Sequence, residues 1–230
     1  MFKMKFNNLL FAFIILLFPI LISCSNNQKK QSSENVNQDD SKPDQTGAIL
    51  VQKCQSDASI SFSYYLPSSF KEGKKYPVLI LFDPHGDSRF AIEKYKSAAD
   101  KFEFILLSTD AIKNGINSEM AAHVMQTILA SVATQLPVNP TRVYVGGFSG
   151  GARYAAMLAM SGSGIQGLMV AGAGFPLDSW KELSPSVIIA AANDGDMNLP
   201  EIFSLDQIKN AEQRGRLLTF RDAGIHEWPS

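Results

Sequence analysis

The residues best suited to chemistry in this sequence surround Ser149. An apolar stretch over 142–148 reads as a buried strand, and the alanine-rich stretch 154–160 reads as a helix. Between them, Gly147 and Gly151 flank the serine at two residues on either side, as a sharp strand-to-helix turn requires, because a Cβ there would collide with the strand or the helix. Such a turn presents the serine Oγ above the sheet, at the positive end of the helix dipole. The pattern predicts a nucleophile, and the alternative is a plain glycine turn.

A serine nucleophile needs a base, and the sequence contains three histidines. His123 falls on the polar side of a predicted helix over 118–136, so it is expected to be solvated. His85 follows a predicted strand in a short Pro/Gly-containing loop. His226 follows the last predicted strand, 217–220, and therefore falls at the sheet edge where ligands gather in open α/β folds. His226 is the candidate general base, and a surface histidine without a role is the alternative.

Two aspartates could orient that base. Asp194 and Asp196 follow the apolar run 187–192 and come between Ser149 and His226 in the chain. A carboxylate at this place can accept from the imidazole and stabilise its charged form. Because a single glycine separates the two aspartates, the spacing alone leaves both open.

Strands and helices alternate along most of the chain. Continuous apolar runs predict buried parallel strands, whereas the alternating run 59–66 predicts a half-buried antiparallel edge strand. The predicted strands are 59–66, 78–82, 104–107, 142–148, 167–171, 187–192 and 217–220, and the predicted helices are 89–102, 118–136, 154–160 and 200–213. This alternation indicates a mostly parallel sheet wound on both faces, without a stretch long enough for a substantial lid domain.

Three motifs resemble a known group. They are Phe-Ser-Gly-Gly-Ala-Arg at 148–153, Asp-Met-Asn at 196–198 with Glu201, and Gly-Ile-His-Glu-Trp-Pro at 224–229. Together they resemble α/β-hydrolase esterases of the poly(3-hydroxybutyrate) depolymerase and feruloyl-esterase-like group, over about residues 58–230. The resemblance implies an α/β-hydrolase fold and a carboxylic-ester hydrolase with a Ser-His-Asp triad. It implies neither a metal nor an organic cofactor.

The resemblance also bears on which aspartate is the catalytic acid. It favours Asp196, which begins the matching Asp-Met-Asn motif. Asp194 stays open, because Ala191, three residues before it, is the best substitute for the glycine that usually precedes the acid loop. That glycine is replaced here by Ala191, Ala192 or Asn193, depending on the alignment.

The resemblance also places an oxyanion hole. Its donors would be the backbone N–H of Gly150 and one N–H from the loop after strand 78–82, at Gly86 or Asp87. His85 is expected to shape this loop, and a turn histidine without a role is the alternative. Phe148, Phe175 and Trp228 could line a substrate pocket or could be ordinary packing residues.

The N-terminus predicts a bacterial lipoprotein. Lys3 and Lys5 precede an apolar run over 9–22, and the run ends in Leu-Ile-Ser-Cys at 21–24, which resembles a lipobox. We expect a signal peptide over 1–23, a palmitate-bearing Cys24, a disordered polar tether over 24–47 and a catalytic domain over 48–230. The alternative is an uncleaved anchor. Either way, the domain is expected at a membrane outside the cytoplasm.

The composition limits which kinds of binding partner are expected. The net charge is -1 and no basic stripe is visible, which argues against nucleic acid as the main partner. The expected partners are a small or polymeric ester and, through the lipid, a membrane; oligomeric state stays open. With Cys24 acylated, Cys54 is expected to be a small buried hydrophobe. Rival interpretations are a serine peptidase on the same fold and a non-catalytic, ligand-binding surface lipoprotein.

Overall fold

The computed structural model describes residues 46–161, 164–174, 187–202, 204 and 217–229. These residues form one sheet of eight strands in the order β1-β2-β4-β3-β5-β6-β7-β8. The strands are β1 (Ile49–Lys53), β2 (Ser61–Tyr65), β3 (Tyr76–Phe82), β4 (Ile105–Ser108), β5 (Val138–Phe148), β6 (Ile165–Ala171), β7 (Val187–Asn193) and β8 (Leu217–Asp222). The helices are α1 (Ser88–Phe102), α2 (Ser118–Gln135), α3 (Gly150–Met160) and α4 (Leu199–Ile202).

The sheet is mostly parallel. Every neighbouring pair from β4 to β8 is parallel, and only β1–β2 and β2–β4 are antiparallel. The parallel strands are short continuous apolar runs, because helices cover both of their faces and leave no solvent side to be polar. The predicted sheet type is therefore confirmed.

Each face of the sheet has its own apolar core. One core packs α2 and α3 against alternate residues of the central strands, including Val78, Ile80 and Phe82 of β3. The other packs α1 against the intervening residues, such as Leu81 and Leu106. The sheet is thus doubly wound, as the alternation of strands and helices predicts.

The prediction of a half-buried edge strand over 59–66 is wrong in two respects. This segment, β2, is antiparallel as expected, but it lies between β1 and β4, so β1 is the edge strand. Its side chains from Phe62 to Tyr65 are all buried. The pairing also starts slightly before the predicted domain boundary at 48, since Thr46 bridges to Leu66 and the Gly47 N–H donates to Leu66 O at 3.2 Å.

Two of the described helices, α1 and α2, start at a capping side chain. The carboxylate of Asp87 accepts from the N–H of Phe90 at the start of α1, and Asn117 accepts from Met120 at the start of α2, both at 2.8 Å. These bonds satisfy donors that have no partner within the first turn. Of the helix predicted over 200–213, the structure describes residues 200–202, which belong to α4, and residue 204, which is not helical.

Several expectations concern residues outside those that the structure describes. They are the signal peptide with Cys24, most of the tether, the greater part of the last predicted helix and Phe175. Cys54 is a free, buried thiol, as predicted. Within the described residues, the helices are all too short or too polar to cross a membrane.

Candidate active site

Ser149 lies between the end of β5 and the start of α3, in a backbone conformation that side chains rarely adopt. Its φ is 51° and its ψ is −123°, and a non-glycine residue held in such a region costs on the order of 1–3 kcal/mol. Its N–H donates to the carbonyl of Ala171 at 2.8 Å, which ties the turn to the neighbouring strand β6. The chain therefore turns sharply at this serine, where the sequence places the turn.

Two glycines make this turn sterically possible. A Cβ on Gly147 would lie 2.5 Å from the carbonyl oxygen of Gly151 and 2.7 Å from the backbone nitrogen of Ala152. A Cβ on Gly151 would collide with the carbonyl of Phe82 at the end of β3. Glycine is required at both positions because backbone groups pass too close for a side chain, and neither position has a positive φ.

His226 links the serine to a carboxylate. Its Nε2 lies 2.9 Å from Ser149 Oγ, and its Nδ1 lies 2.9 Å from Asp196 Oδ1. An ionised carboxylate can only accept, so Nδ1 carries the proton, and Nε2 is left to accept from the serine hydroxyl. The imidazole is about one-fifth exposed, whereas the Asp196 side chain is fully enclosed. This is the arrangement in which a histidine can take a proton from a serine.

The structure brings Asp196, and not Asp194, against His226. The turn from Asn193 to Asp196 closes through a 3.0 Å hydrogen bond from the Asp196 N–H, and it buries Asp196 while leaving Asp194 exposed. Asp196 Oδ1 also accepts from the N–H of Asn198 at 2.8 Å. Among the described residues, its Oδ2 is buried without a hydrogen-bond partner.

Asn193 is a site residue that sequence reasoning did not single out. It ends β7, three residues before Asp196, and its buried side-chain amide donates to the carbonyls of Ile225 at 2.8 Å and Glu227 at 3.3 Å. A glycine could not make these bonds to the backbone on both sides of His226. The available signal was a polar residue at the end of an otherwise apolar strand.

Aromatic rings pack behind the histidine. The ring centroid of Phe148 lies 4.7 Å from that of His226 and 5.6 Å from that of Trp228. Both Phe148 and Trp228 are buried, so they act as packing residues and not as the lining of an open substrate pocket. The ring of Tyr95 meets Trp228 edge-on at 5.9 Å. Burial raises the pKa of the Tyr95 phenol to about 12, so the phenol stays neutral near neutral pH.

The two expected oxyanion donors occupy different settings. The N–H of Gly150 lies in the first turn of α3, where helix geometry provides no acceptor. In the loop after β3, the N–H of Gly86 donates to Asp83 O at 3.1 Å, and that of Asp87 donates to Asp83 Oδ1 at 3.3 Å. An oxyanion would have to replace one of these bonds, and the longer one from Asp87 is the weaker.

The other two histidines have partners other than Ser149 and Asp196. His85 is exposed in the loop after β3, where its N–H donates to Asp83 Oδ1 at 2.8 Å. His123 is exposed on α2, as predicted, and its Nε2 lies 3.9 Å from Asp57 Oδ2.

No protein-family model matches this sequence, and no curated protein matches it either. Solved structures do match. A ferulic acid esterase from the anaerobic fungus Anaeromyces mucronatus has a TM-score of 0.60 and 15% identity, over 79% of this chain and 84% of its own. An S-formylglutathione hydrolase from Agrobacterium tumefaciens has a TM-score of 0.57 and 11% identity, over 78% of this chain and 87% of its own.

Peptidases match as well. An acylaminoacyl peptidase from Pyrococcus horikoshii has a TM-score of 0.60 and 12% identity, over 78% of this chain and 37% of its own. These matches and the strand order show that the chain has the α/β-hydrolase fold. At such low identities they establish the fold alone, so activity must be argued from the site.

Proposed function

We propose that this chain is a serine hydrolase that cleaves carboxylic esters. The observation that carries the proposal is the unbroken line of hydrogen bonds from Ser149 Oγ through both ring nitrogens of His226 to the buried carboxylate of Asp196. A serine hydroxyl is a weak nucleophile near neutral pH, and a base held within hydrogen-bond distance removes that limitation.

In the proposed acylation, Ser149 Oγ attacks the ester carbonyl carbon while its proton moves to His226 Nε2. The carbonyl oxygen becomes an oxyanion, and Asp196 stabilises the imidazolium that forms. When the tetrahedral intermediate collapses, the bond to the alcohol oxygen breaks, and His226 returns the proton to that oxygen. The alcohol leaves, and the acyl group remains on the serine.

Deacylation repeats these steps with water. His226 Nε2 takes a proton from water as the water oxygen attacks the acyl carbon, and the same proton then goes back to Ser149 Oγ as the acid is released. The same base therefore serves both halves of the cycle.

The oxyanion would be held by the N–H of Gly150 and by a second N–H from the loop after β3. Asp87 suits this second role better than Gly86, because its present bond to Asp83 is the longer and the easier to exchange. Removing one oxyanion donor typically costs about 3 kcal/mol of transition-state stabilisation.

Esters are proposed ahead of peptides because of how the solved structures match. The two ferulic acid esterases are matched over 84% and 91% of their own chains, whereas the acylaminoacyl and dipeptidyl peptidases are matched over 32–37% of theirs. What this chain shares with the two ferulic acid esterases is therefore most of each of their chains.

Substrate comparison tests the proposal. The full chain, purified in detergent, is assayed with p-nitrophenyl acetate and butyrate and, in parallel, with aminoacyl and dipeptidyl p-nitroanilides, with Ser149→Ala as the control. Ester turnover that Ser149→Ala loses, without turnover of the anilides, supports the proposal. Turnover of the anilides, with or without ester turnover, would move the function to a serine peptidase. No turnover of either class would favour a ligand-binding surface lipoprotein.

We also propose that the protein is secreted and held at a membrane by lipid on Cys24. Support comes from the sequence alone: a basic start, an apolar run over 9–22 and the lipobox-like residues 21–24. The polar residues that follow would act as a flexible coil that keeps the hydrolase domain on the order of 25 Å from the lipid surface.

A further inference from the structure

Asp83, at the carboxyl end of β3, is a buried carboxylate that the proposed mechanism does not use. The residue is only 3% exposed. Oδ1 accepts from the N–H groups of His85 and Asp87, at 2.8 and 3.3 Å, and Oδ2 accepts from the indole N–H of Trp228 at 3.0 Å. All three donors are neutral. Burying a carboxylate is costly unless such donors are held in place around it.

One side of this carboxylate fixes the loop after β3. Two of that loop's N–H groups, those of His85 and Asp87, point at the same oxygen. The loop is therefore folded around Oδ1, and the Asp87 N–H is the one that the proposed function assigns to the oxyanion.

The other side of the carboxylate fixes the loop that carries the base. Trp228 follows His226 by two residues, and its indole is buried against Phe148. Phe148 in turn packs against the His226 ring and directly precedes Ser149. Displacing the indole would remove the packing that holds the imidazole in place beside the serine hydroxyl.

We infer that Asp83 is a positioning residue that holds the oxyanion loop and the histidine loop in register with each other. The inference rests on the proposed function. It assigns Asp83 no contact with the substrate. The carboxylate acts through the backbone of His85 on one side, whose bond stays in place when the Asp87 N–H turns to the oxyanion, and through Trp228 on the other.

Two variants separate this role from ordinary stability. Asp83→Asn keeps the volume and one acceptor oxygen, but its amide N–H₂ would face the Trp228 N–H, so two donors oppose each other. Trp228→Phe keeps the aromatic packing and removes the donor. Ser131→Ala is the control, because Ser131 is a buried residue of α2 and the change deletes a part-buried hydrogen bond, from the Gln55 N–H at 3.1 Å.

The measurement is kcat and KM for p-nitrophenyl butyrate, with the thermal midpoint of each full-length variant. We expect both Asp83→Asn and Trp228→Phe to lower kcat by about 10–100-fold with KM within about threefold of wild type, because a shift of about 1 Å at a catalytic group costs this much. Ser131→Ala should keep kcat within about twofold of wild type at a similar loss of thermal midpoint.

The double variant Asp83→Asn/Trp228→Phe tests the link directly. It should lose no more kcat than the worse single variant, since the opposed donors are gone. The inference would be overturned if the losses of kcat in the two single variants multiply in the double variant. An unchanged kcat in Trp228→Phe, or a rise in KM alone, would also overturn it. If Asp83→Asn does not fold, Trp228→Phe still decides the outcome. An inactive wild type would instead overturn the proposed function.

Discussion

The side-chain amide of Asn193 donates a hydrogen bond to the backbone carbonyl of Ile225, 2.8 Å away and one residue before His226. The bond crosses from the end of β7 to the loop after β8, and a second bond from the same amide reaches Glu227 at 3.3 Å. The Gly195 N–H adds a third link, to Gly224 O at 2.9 Å. The loop that supplies the acid thus holds the loop that supplies the base.

Replacing Asn193 should weaken catalysis through the position of His226. Asn193→Ala removes two hydrogen bonds, and we expect it to lower kcat/KM by about 10-fold and stability by about 1–3 kcal/mol. Asn193→Asp has the same shape but points acceptors at two carbonyl oxygens, so it should be the worse of the two in both measurements. Ester kinetics and urea unfolding check this. An Asn193→Asp variant more active than Asn193→Ala would contradict the account.

The two aspartates of the acid loop should behave differently. Asp196→Asn leaves His226 Nδ1–H without a carboxylate and allows the wrong tautomer, for which we expect a loss of kcat of at least about 10²-fold. Asp194 is exposed, so Asp194→Asn should cost far less. Esterase kinetics of both variants decide the matter, and the opposite ranking would move the role of the acid to Asp194.

The tight turn at Ser149 should not tolerate Gly147→Ala. The new methyl would meet backbone atoms of Gly151 and Ala152 that cannot move without shifting α3, so we expect a loss of at least about 3 kcal/mol. Gly73→Ala is the control: its φ is +78°, but nothing lies within 4 Å of the added carbon. It should lose only the about 1–2 kcal/mol of left-handed strain. Equal unfolding midpoints in urea would contradict this reading of the turn.

Cys24 should carry the lipid. Expressed in a bacterial host, the wild-type chain should incorporate labelled palmitate and partition into detergent, because acylation gives it a membrane anchor. Cys24→Ser should do neither, while its esterase activity stays at the wild-type level. Equal labelling of the two proteins would instead favour an uncleaved N-terminal anchor.

The parallel strands were predictable because residues covered on both faces leave continuous apolar runs. β2 was harder to place. Ser63 looks like a solvent-facing residue in an alternating strand, yet it is buried and its Oγ shares a 2.8 Å hydrogen bond with Ser88 Oγ of α1. When the hydrogen-bond partner of a buried polar residue lies on a distant helix, the local sequence gives no sign of its burial. The sequence therefore placed β2 at the edge of the sheet, where β1 lies.

The site residues also fall into those that the sequence predicts and those that depend on distant contacts. Ser149 and His226 were predictable, since each follows an apolar strand and has the residue type that the chemistry needs. The preference between Asp194 and Asp196 depends on how the turn 193–196 closes, and the state of the oxyanion loop depends on where the Asp83 carboxylate points. Both are set by contacts between segments far apart in sequence, which spacing does not reveal.

The central claim is that His226 makes Ser149 nucleophilic, and covalent labelling tests it most directly. A fluorophosphonate should lose fluoride as Ser149 Oγ bonds to its phosphorus. Intact mass should then show one adduct, and peptide mapping should place it on Ser149. We expect no adduct in Ser149→Ala and labelling at least about 10²-fold slower in His226→Ala. An adduct on another residue, or undiminished labelling of Ser149→Ala, would contradict the account.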